Sequence, residues 1–315
     1  MGKEGKFMQS GKKKFFKDLG RDLVRHKSLY FMLVPVIVYY LVFCYYPMYG
    51  AQIAFRDYSP KLGSFHSPWV GLKHFKSFFN SVYFSRLIKN TLGINLLNLV
   101  FGFPAPIILA LMLNEVRNSK FKKTVQTISY LPHFISTVVI GGLILQFTAT
   151  DGFITNLMTL FGYPKQNLMF NPALFKPIYV ISEIWQGIGW GSIIYIASIS
   201  GISAELYEAA RIDGAGRWKQ TLYVTIPGIM PTVITMLIMR IGSMMSLGFE
   251  KIFLIYNPSI YETADVISTF VYRKGLIDQS YSFSTAVGLF NSVINLVLLA
   301  TANKVCKMLT DHSLW

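Results

Sequence analysis

The sequence predicts an all-α fold, a polytopic transmembrane helical bundle with six spans. Three observations carry this reading. Of the 315 residues, 52% are apolar and only 14% charged, where a soluble domain carries about a quarter of its residues as charge. The apolar residues gather into blocks of roughly twenty, each long enough at about 1.5 Å per residue to cross about 30 Å of hydrocarbon. The net charge of +15 sits mostly at the ends of these blocks, so it reads as membrane topology rather than as a nucleic-acid surface.

Taken in order, residues 1–28 hold nine Lys or Arg against three acids, and Lys12, Lys13 and Lys14 are followed by Phe15 and Phe16. This is a basic cytoplasmic tail suited to the anionic inner leaflet. The apolar run 29–49 exceeds a signal-peptide core, and Pro47-Met48-Tyr49-Gly50 offers no small-x-small cleavage pattern, so it is the first span. The others are read at 91–113, 128–147, 177–200, 228–249 and 285–305, each bounded by polar, Gly-rich or Pro-rich stretches. With the N-terminus inside, the inner segments 1–28, 114–127, 201–227 and 306–315 carry 17 Lys or Arg in fewer than 80 residues. The outer segments 50–90, 148–176 and 250–284 carry 11 in more than 100. The bias places both termini and the 201–227 loop in the cytoplasm. Residues 29–315 form one transmembrane domain, since no Pro/Ser-rich linker or short-period repeat divides them.

Within the spans, Pro35, Pro104, Pro106, Pro132 and Pro231 predict kinks, tolerated because neighbouring groups in a bundle satisfy the freed carbonyls. Gly187, Gly189 and Gly191 supply small surfaces for close helix approach. Two cysteines give no disulfide framework, and Cys44 and Cys306 fall near opposite faces of the membrane as small buried hydrophobes. His26, His66, His74, His133 and His312 show no i,i+4 pairing, and no metal is assigned. The sequence holds no phosphate-binding Gly-x-x-x-x-Gly-Lys-Ser/Thr loop, no His-Glu-x-x-His and no Gly-x-Ser-x-Gly, so the chain by itself has no means of hydrolysing ATP.

Two residues charged at neutral pH fall deep inside spans, Glu183 and Arg240, and at a helix centre such groups cost at least about 2.5–3.5 kcal/mol unless they face protein or water. Both are expected to point inward. Two uses stay open for each: lining a water-filled cavity, or a structural one, with Glu183 solvated near the outer surface and Arg240 in a salt bridge or snorkelling. Trp185 and Gln186 follow Glu183 closely, and Asn291 with Asn295 makes an i,i+4 polar stripe in the last span. Polar groups beside aromatics suit sugars, whose hydroxyls need paired donors and acceptors and whose C–H faces stack on rings. Glu183, Trp185, Gln186, Arg240, Asn291 and Asn295 are therefore the candidate substrate-cavity residues.

The 201–227 segment is polar yet helix-forming. Ser203 is placed as an N-cap, Glu205 and Glu208 in the first turns, and Gly214 as the break before a second short helix, giving a bent amphipathic pair at the membrane surface. Glu208-Ala209-Ala210, then Gly214 after three residues, then Val224, Ile226 and Pro227, resembles the EAA loop of permeases in binding-protein-dependent ABC importers. Val224 and Ile226 stand where Ile and Leu are usual. Asp213 and Ala215 beside the glycine, together with Tyr46-Pro47-Met48-Tyr49-Gly50, Leu113-Asn114-Glu115 and Tyr130-Leu131-Pro132-His133-Phe134, are similar to the maltose-type superfamily and its branch importing complex oligosaccharides.

The resemblance implies a permease subunit with a cytoplasmic EAA coupling-helix loop, in which Glu208, Ala209, Ala210, Asp213, Gly214, Ala215, Trp218 and Pro227 meet an ATPase. It also implies the partners: a second homologous permease, two ATPase subunits that bind ATP and Mg, an extracellular solute-binding lipoprotein and an oligosaccharide substrate, in a bacterial cell membrane. This chain then carries no cofactor and binds no nucleic acid. An ion- or proton-coupled secondary transporter is the alternative, but it would show inverted repeats and paired midplane acids, and Glu183 is the one acid inside a predicted span. An intramembrane enzyme would need catalytic motifs that are missing.

Overall fold

The structure, a computed structural model, describes residues 25–310 and 313–314. Most of the basic tail, together with His312, lies outside the described residues. The described residues form helices and one isolated antiparallel bridge, Arg56 to Trp69. In chain order the main elements are α1 (Lys27–Phe55), α2 (Phe84–Glu115), α3 (Ser119–Tyr130), α4 (Thr137–Thr148), α5 (Phe153–Leu160), α6 (Pro172–Ser200) and α7 (Ala204–Ile212). They continue as α8 (Arg217–Gly242), α9 (Phe249–Ile255), α10 (Ile267–Tyr272) and α11 (Tyr281–Thr310). Five helical units are long and apolar enough to cross a membrane, and six when α6 and α7, bent by 70° at their junction, count as one broken span.

Hydrocarbon offers no hydrogen bonds, so each span must satisfy its own backbone, and proline makes that difficult. The chain answers with one widened turn before three of its prolines. The amides of Tyr46, Phe103 and Ile226, each the residue before Pro47, Pro104 and Pro227, reach back five residues to Leu41, Asn98 and Thr221 instead of four. The expected break at Pro104 is thus a π-turn within a continuous helix. Pro35 and Pro231 sit inside unbroken helices.

Two predicted spans need correction. The stretch 128–147 is not one helix: Leu131–Phe134 forms a 3-10 turn at Pro132, and Ser136, whose hydroxyl accepts from the Val139 amide, caps a fresh start at α4. The span expected to reach 249 ends at Gly242, and Asn295 on α11 fastens the turn beyond it by accepting from the Met245 amide (2.9 Å) and donating to the Ser246 hydroxyl (2.8 Å). The segment 250–284, read as an outer loop, is a folded layer. Ile252, Ile255, Ile260, Ala264 and Val266 are buried in one cluster with Ile94 of α2, Ile140 of α4 and Phe175 and Tyr179 of α6. By contrast α1 buries none of its apolar window against the rest of the chain, and Phe31 and Tyr46 are 80% and 78% exposed. Both cysteines are half-buried and free.

The inserted layer is held to α2 by one carboxylate. Asp265, fully buried, receives both guanidinium nitrogens of Arg273 (2.9 and 2.7 Å), the Thr269 hydroxyl (2.9 Å) and Arg86 of α2 at 3.3 Å. Asn90 donates to the carbonyls of Glu262 and Asp265 (2.8 and 3.1 Å), and the Ile267 amide donates to Thr91 (3.2 Å). The Arg273 guanidinium also lies over the Tyr261 ring at 4.7 Å.

Removing one member of such a buried pair strands the other charge. Asp265→Ala is therefore expected to lower stability by about 3–5 kcal/mol. Lys73→Ala, which breaks the exposed pair to Asp57 (side chains 58% and 41% exposed), is expected to cost under about 1 kcal/mol. Unfolding of the two variants in lipid nanodiscs, followed side by side, measures the contrast.

Candidate functional site

A cavity of about 560 Å³ opens between α2, α6 and α8, and it brings together Glu183 and Arg240 with Asn98, Tyr195 and Ser243. Each polar group has a local reason for its place. Asn98 begins the widened turn ahead of Pro104, a geometry that turns one more residue inward than a regular helix would. Arg240 lies in the last turn of α8, where the helix dipole favours a cation. Gly102 leaves room for the Asn98 side chain, whose oxygen lies 3.2 Å from where a Cβ would stand.

Glu183 does not stand alone. It is paired with Lys251 of α9, whose side chain is only 4% exposed and whose ammonium sits 5.9 Å from the Tyr179 ring centroid. A buried ammonium needs such a partner, because desolvation alone would cost several kcal/mol. Among the described residues no carboxylate is paired with Arg240. The Glu183 charge is thus balanced from behind the wall, and the charge left facing the cavity is positive.

The other candidates fall elsewhere. Trp185 lines a second cavity, also about 560 Å³, with Ile144, Phe147, Ile154, Met158 and Pro177. That space is apolar and lies between α4, α5 and α6. Gln186 is half-buried and lines neither cavity. Asn295 spends its amide on the turn after α8, and Asn291, whose oxygen is buried without a hydrogen-bond partner, is likewise outside the Glu183–Arg240 cavity. Sequence reasoning missed Lys251, counted only as an outer-loop charge, and Asn98, a polar residue in a span that could have been noticed.

The glycine cluster of α6 does two things. An ideal Cβ on Gly189 would lie 2.1 Å from the Ser129 carbonyl oxygen and 2.9 Å from the Tyr130 amide nitrogen, so α3 crosses α6 backbone to backbone there. A Cβ on Gly191 would meet Pro106 at 3.0 Å, while Gly187 has open space and lines the cavity.

Two of the helices that wall the cavity, α6 and α8, carry the polar loop between them. After α6 the chain bends, Ser203 caps α7 by accepting from the Glu205 amide (3.3 Å), and Gly214 takes φ +75°. The Ala215 amide reaches back to the Ala210 carbonyl (2.8 Å) and that of Gly214 to Arg211 (3.0 Å), a Schellman-type stop that favours glycine. Gln220 donates to the Ala215 carbonyl (2.7 Å), and the Tyr207 and Thr225 hydroxyls share a hydrogen bond of 3.0 Å across the hairpin. Two expectations change. Glu208 lies in the second turn of α7, with Glu205 in the first, so the helix dipole acts on it weakly. The second short helix is the foot of α8 itself: Arg217–Gln220 runs through the widened turn before Pro227 into the span.

Glu208, Ala209, Asp213 and Pro227 are exposed, and Ala210 and Ala215 half-buried. Ile212 and Trp218 project at 87% and 74% exposure on either side of the Gly214 turn. Two large apolar side chains thus stand beside exposed carboxylates on a loop fastened by its own hydrogen bonds.

Residues 102–304 match the family described as binding-protein-dependent transport system inner membrane component. The polygalacturonan/rhamnogalacturonan transport system permease protein YteP of Bacillus subtilis (strain 168) is 43% identical over 305 residues, covering 96% of this chain and 95% of that protein. Protein LplB of the same organism is 43% identical over 294 residues, covering 93% and 92%. A crystal structure of a bacterial ABC transporter involved in the import of the acidic polysaccharide alginate contains a chain that superposes with a TM-score of 0.85 at 44% identity, covering 94% of this chain and 99% of that one.

The contrast between the two glycines is testable. Gly189→Ala is expected to cost at least about 1–3 kcal/mol through overpacking against the α3 backbone. Gly187→Ala is expected to be neutral or stabilising by up to about 1 kcal/mol, since alanine is the better helix former. Melting of the two purified variants reads the difference.

Proposed function

The chain belongs to the family of binding-protein-dependent transport system inner membrane components, and we propose that it is the permease subunit of an ATP-driven importer that passes oligosaccharides through the Glu183–Arg240 cavity. The observation that carries this reading is the continuity of α6, the Gly214 hairpin and α8. Two of the three helices that wall the cavity are joined at one end by a loop with an exposed, hydrogen-bonded face. A partner that moves Glu208, Ile212 and Trp218 must move the cavity walls. ATP and Mg then belong to two ATPase subunits docked on that loop, and a second, homologous permease completes the route.

The substrate is delivered by an extracellular binding protein, as in the related alginate ABC transporter, solved in complex with an alginate pentasaccharide-bound periplasmic protein. Both termini lie in the cytoplasm, in keeping with the Lys and Arg bias of the inner segments. The unbalanced Arg240 suits an acidic sugar, since a guanidinium binds a carboxylate through two parallel N–H groups. Relatives that handle polygalacturonan and alginate agree with that choice.

Uptake by the complete transporter in proteoliposomes tests the reading. Wild type is expected to accumulate oligogalacturonates only with ATP inside and binding protein outside. Gly214→Val, which puts a β-branched residue at positive φ, and Glu208→Lys are expected to abolish uptake while the chain still inserts. Arg240→Gln is expected to raise the half-saturating concentration about tenfold or more, the loss of one charge-assisted contact. Equal uptake without ATP, or by all three variants, would contradict the proposal.

A further inference from the structure

The wall of the cavity continues toward the cytoplasm as an aromatic surface. Trp190 lies three residues after Gly187, four before Ile194 and seven after Glu183, and all three of those residues line the cavity. On a helix these spacings make one stripe. The His133 ring stacks on Trp190, centroids 4.6 Å apart and planes 3° from parallel, and Phe134 meets Trp190 edge-on at 5.6 Å. The arrangement is positioned by the Gly189 contact described above, because only a bare α-carbon there lets Ser129 and Tyr130 approach and swing Leu131–Phe134 over the next residue.

The platform is open. Trp190 is 47% and Phe134 71% exposed, and His133 is exposed too. Its depth makes this informative. Trp190 sits four residues, about 6 Å, beyond the midpoint of α6. An imidazole exposed at that depth belongs against water or protein rather than lipid. Burial alone does not explain an open stack of two flat rings on the cavity stripe.

We propose that the His133–Trp190 stack is a second sugar subsite of the translocation route, where a pyranose ring lays its C–H face on the indole and a hydroxyl reaches the imidazole. The inference rests on the proposed function and deepens it. Glu183 and Trp190 are seven residues apart, about 10 Å along the axis, the length of roughly two sugar units. Arg240 lines the same cavity as Glu183, so a chain whose carboxylate is held in that cavity reaches the platform with a later ring, whereas a disaccharide engages one site at a time. The platform would select for chain length, and Arg240 for charge.

The test compares uptake of oligogalacturonates of two and five units by the complete transporter carrying wild type, Trp190→Ala, Trp190→Phe or His133→Ala. Trp190→Ala is expected to raise the half-saturating concentration for the pentamer about two- to tenfold and to leave that for the dimer within experimental error. Trp190→Phe, which keeps a flat ring, is expected to restore most of the loss, and His133→Ala to fall between them. As a second readout that does not depend on Trp190→Ala folding, the pentamer should change tryptophan fluorescence in the wild-type complex and much less in Trp190→Phe. Equal effects on dimer and pentamer, or a fluorescence change that survives in Trp190→Phe, would overturn the proposal and leave the stack a packing feature. Wild-type uptake alongside that result would confine the failure to the platform; no wild-type uptake at all would remove the proposed function with it.

Discussion

The constraint on which the proposed function depends is a single hairpin, α6 to α8 across Gly214, which joins two walls of the cavity to the polar loop. The two helices touch through the Ser198 and Thr232 hydroxyls (2.9 Å) within the bundle and through Tyr207 and Thr225 at its base. They bury Tyr195, Ile199 and Ile229 between them. Packed interiors are bistable rather than continuously deformable, so a displacement at α7 passes along α6 and α8 instead of being absorbed. In the proposed function the 70° bend between α6 and α7 would be the lever, turning a push on α7 into a tilt of the cavity walls.

The opposite side of the bundle is organised by charge. Asp265 with Arg273 and Arg86, and Glu183 with Lys251, are two ion-pair clusters, each with one almost fully buried member. Pairs like these add little net stability, because desolvation offsets most of their attraction. Their effect here is placement. One pins the 250–284 layer to α2, and the other fixes that layer behind the cavity and balances the Glu183 charge. What remains facing the cavity is Arg240 and a set of neutral polar groups.

The sequence announced the spans through hydropathy and the loop through spacing, because both are local signals. Ser203, Gly214 and Pro227 each impose a backbone geometry on their own neighbourhood, and each is found where its chemistry requires. Glu183 and Arg240 were legible for a similar reason: an ionisable group in hydrocarbon has few tolerable places to go. The losses are non-local. Nothing near Lys251 in sequence says that it meets Glu183 sixty-eight residues away, and nothing near Asn295 says that it fastens a turn on another helix. The polar content of 250–284 reads as a loop until Asp265 finds Arg86. At Pro132 the sequence predicted a kink and the structure has a full 3-10 break, because the apolar run continues through it while the helix does not.

In the proposed function the state of the Gly214 loop sets access to the cavity, and cysteine accessibility measures it directly. In a background with Cys44 and Cys306 replaced, Gly187→Cys places a thiol on the open cavity stripe. Its rate of modification by a membrane-impermeant maleimide can be followed from each side of a nanodisc-embedded transporter, with and without trapped ATP. With an intact loop the account predicts that ATP exchanges the side from which the thiol is labelled. With Gly214→Val it predicts labelling that ignores nucleotide. A Gly214→Val transporter in which ATP still switches the labelled side would contradict the account.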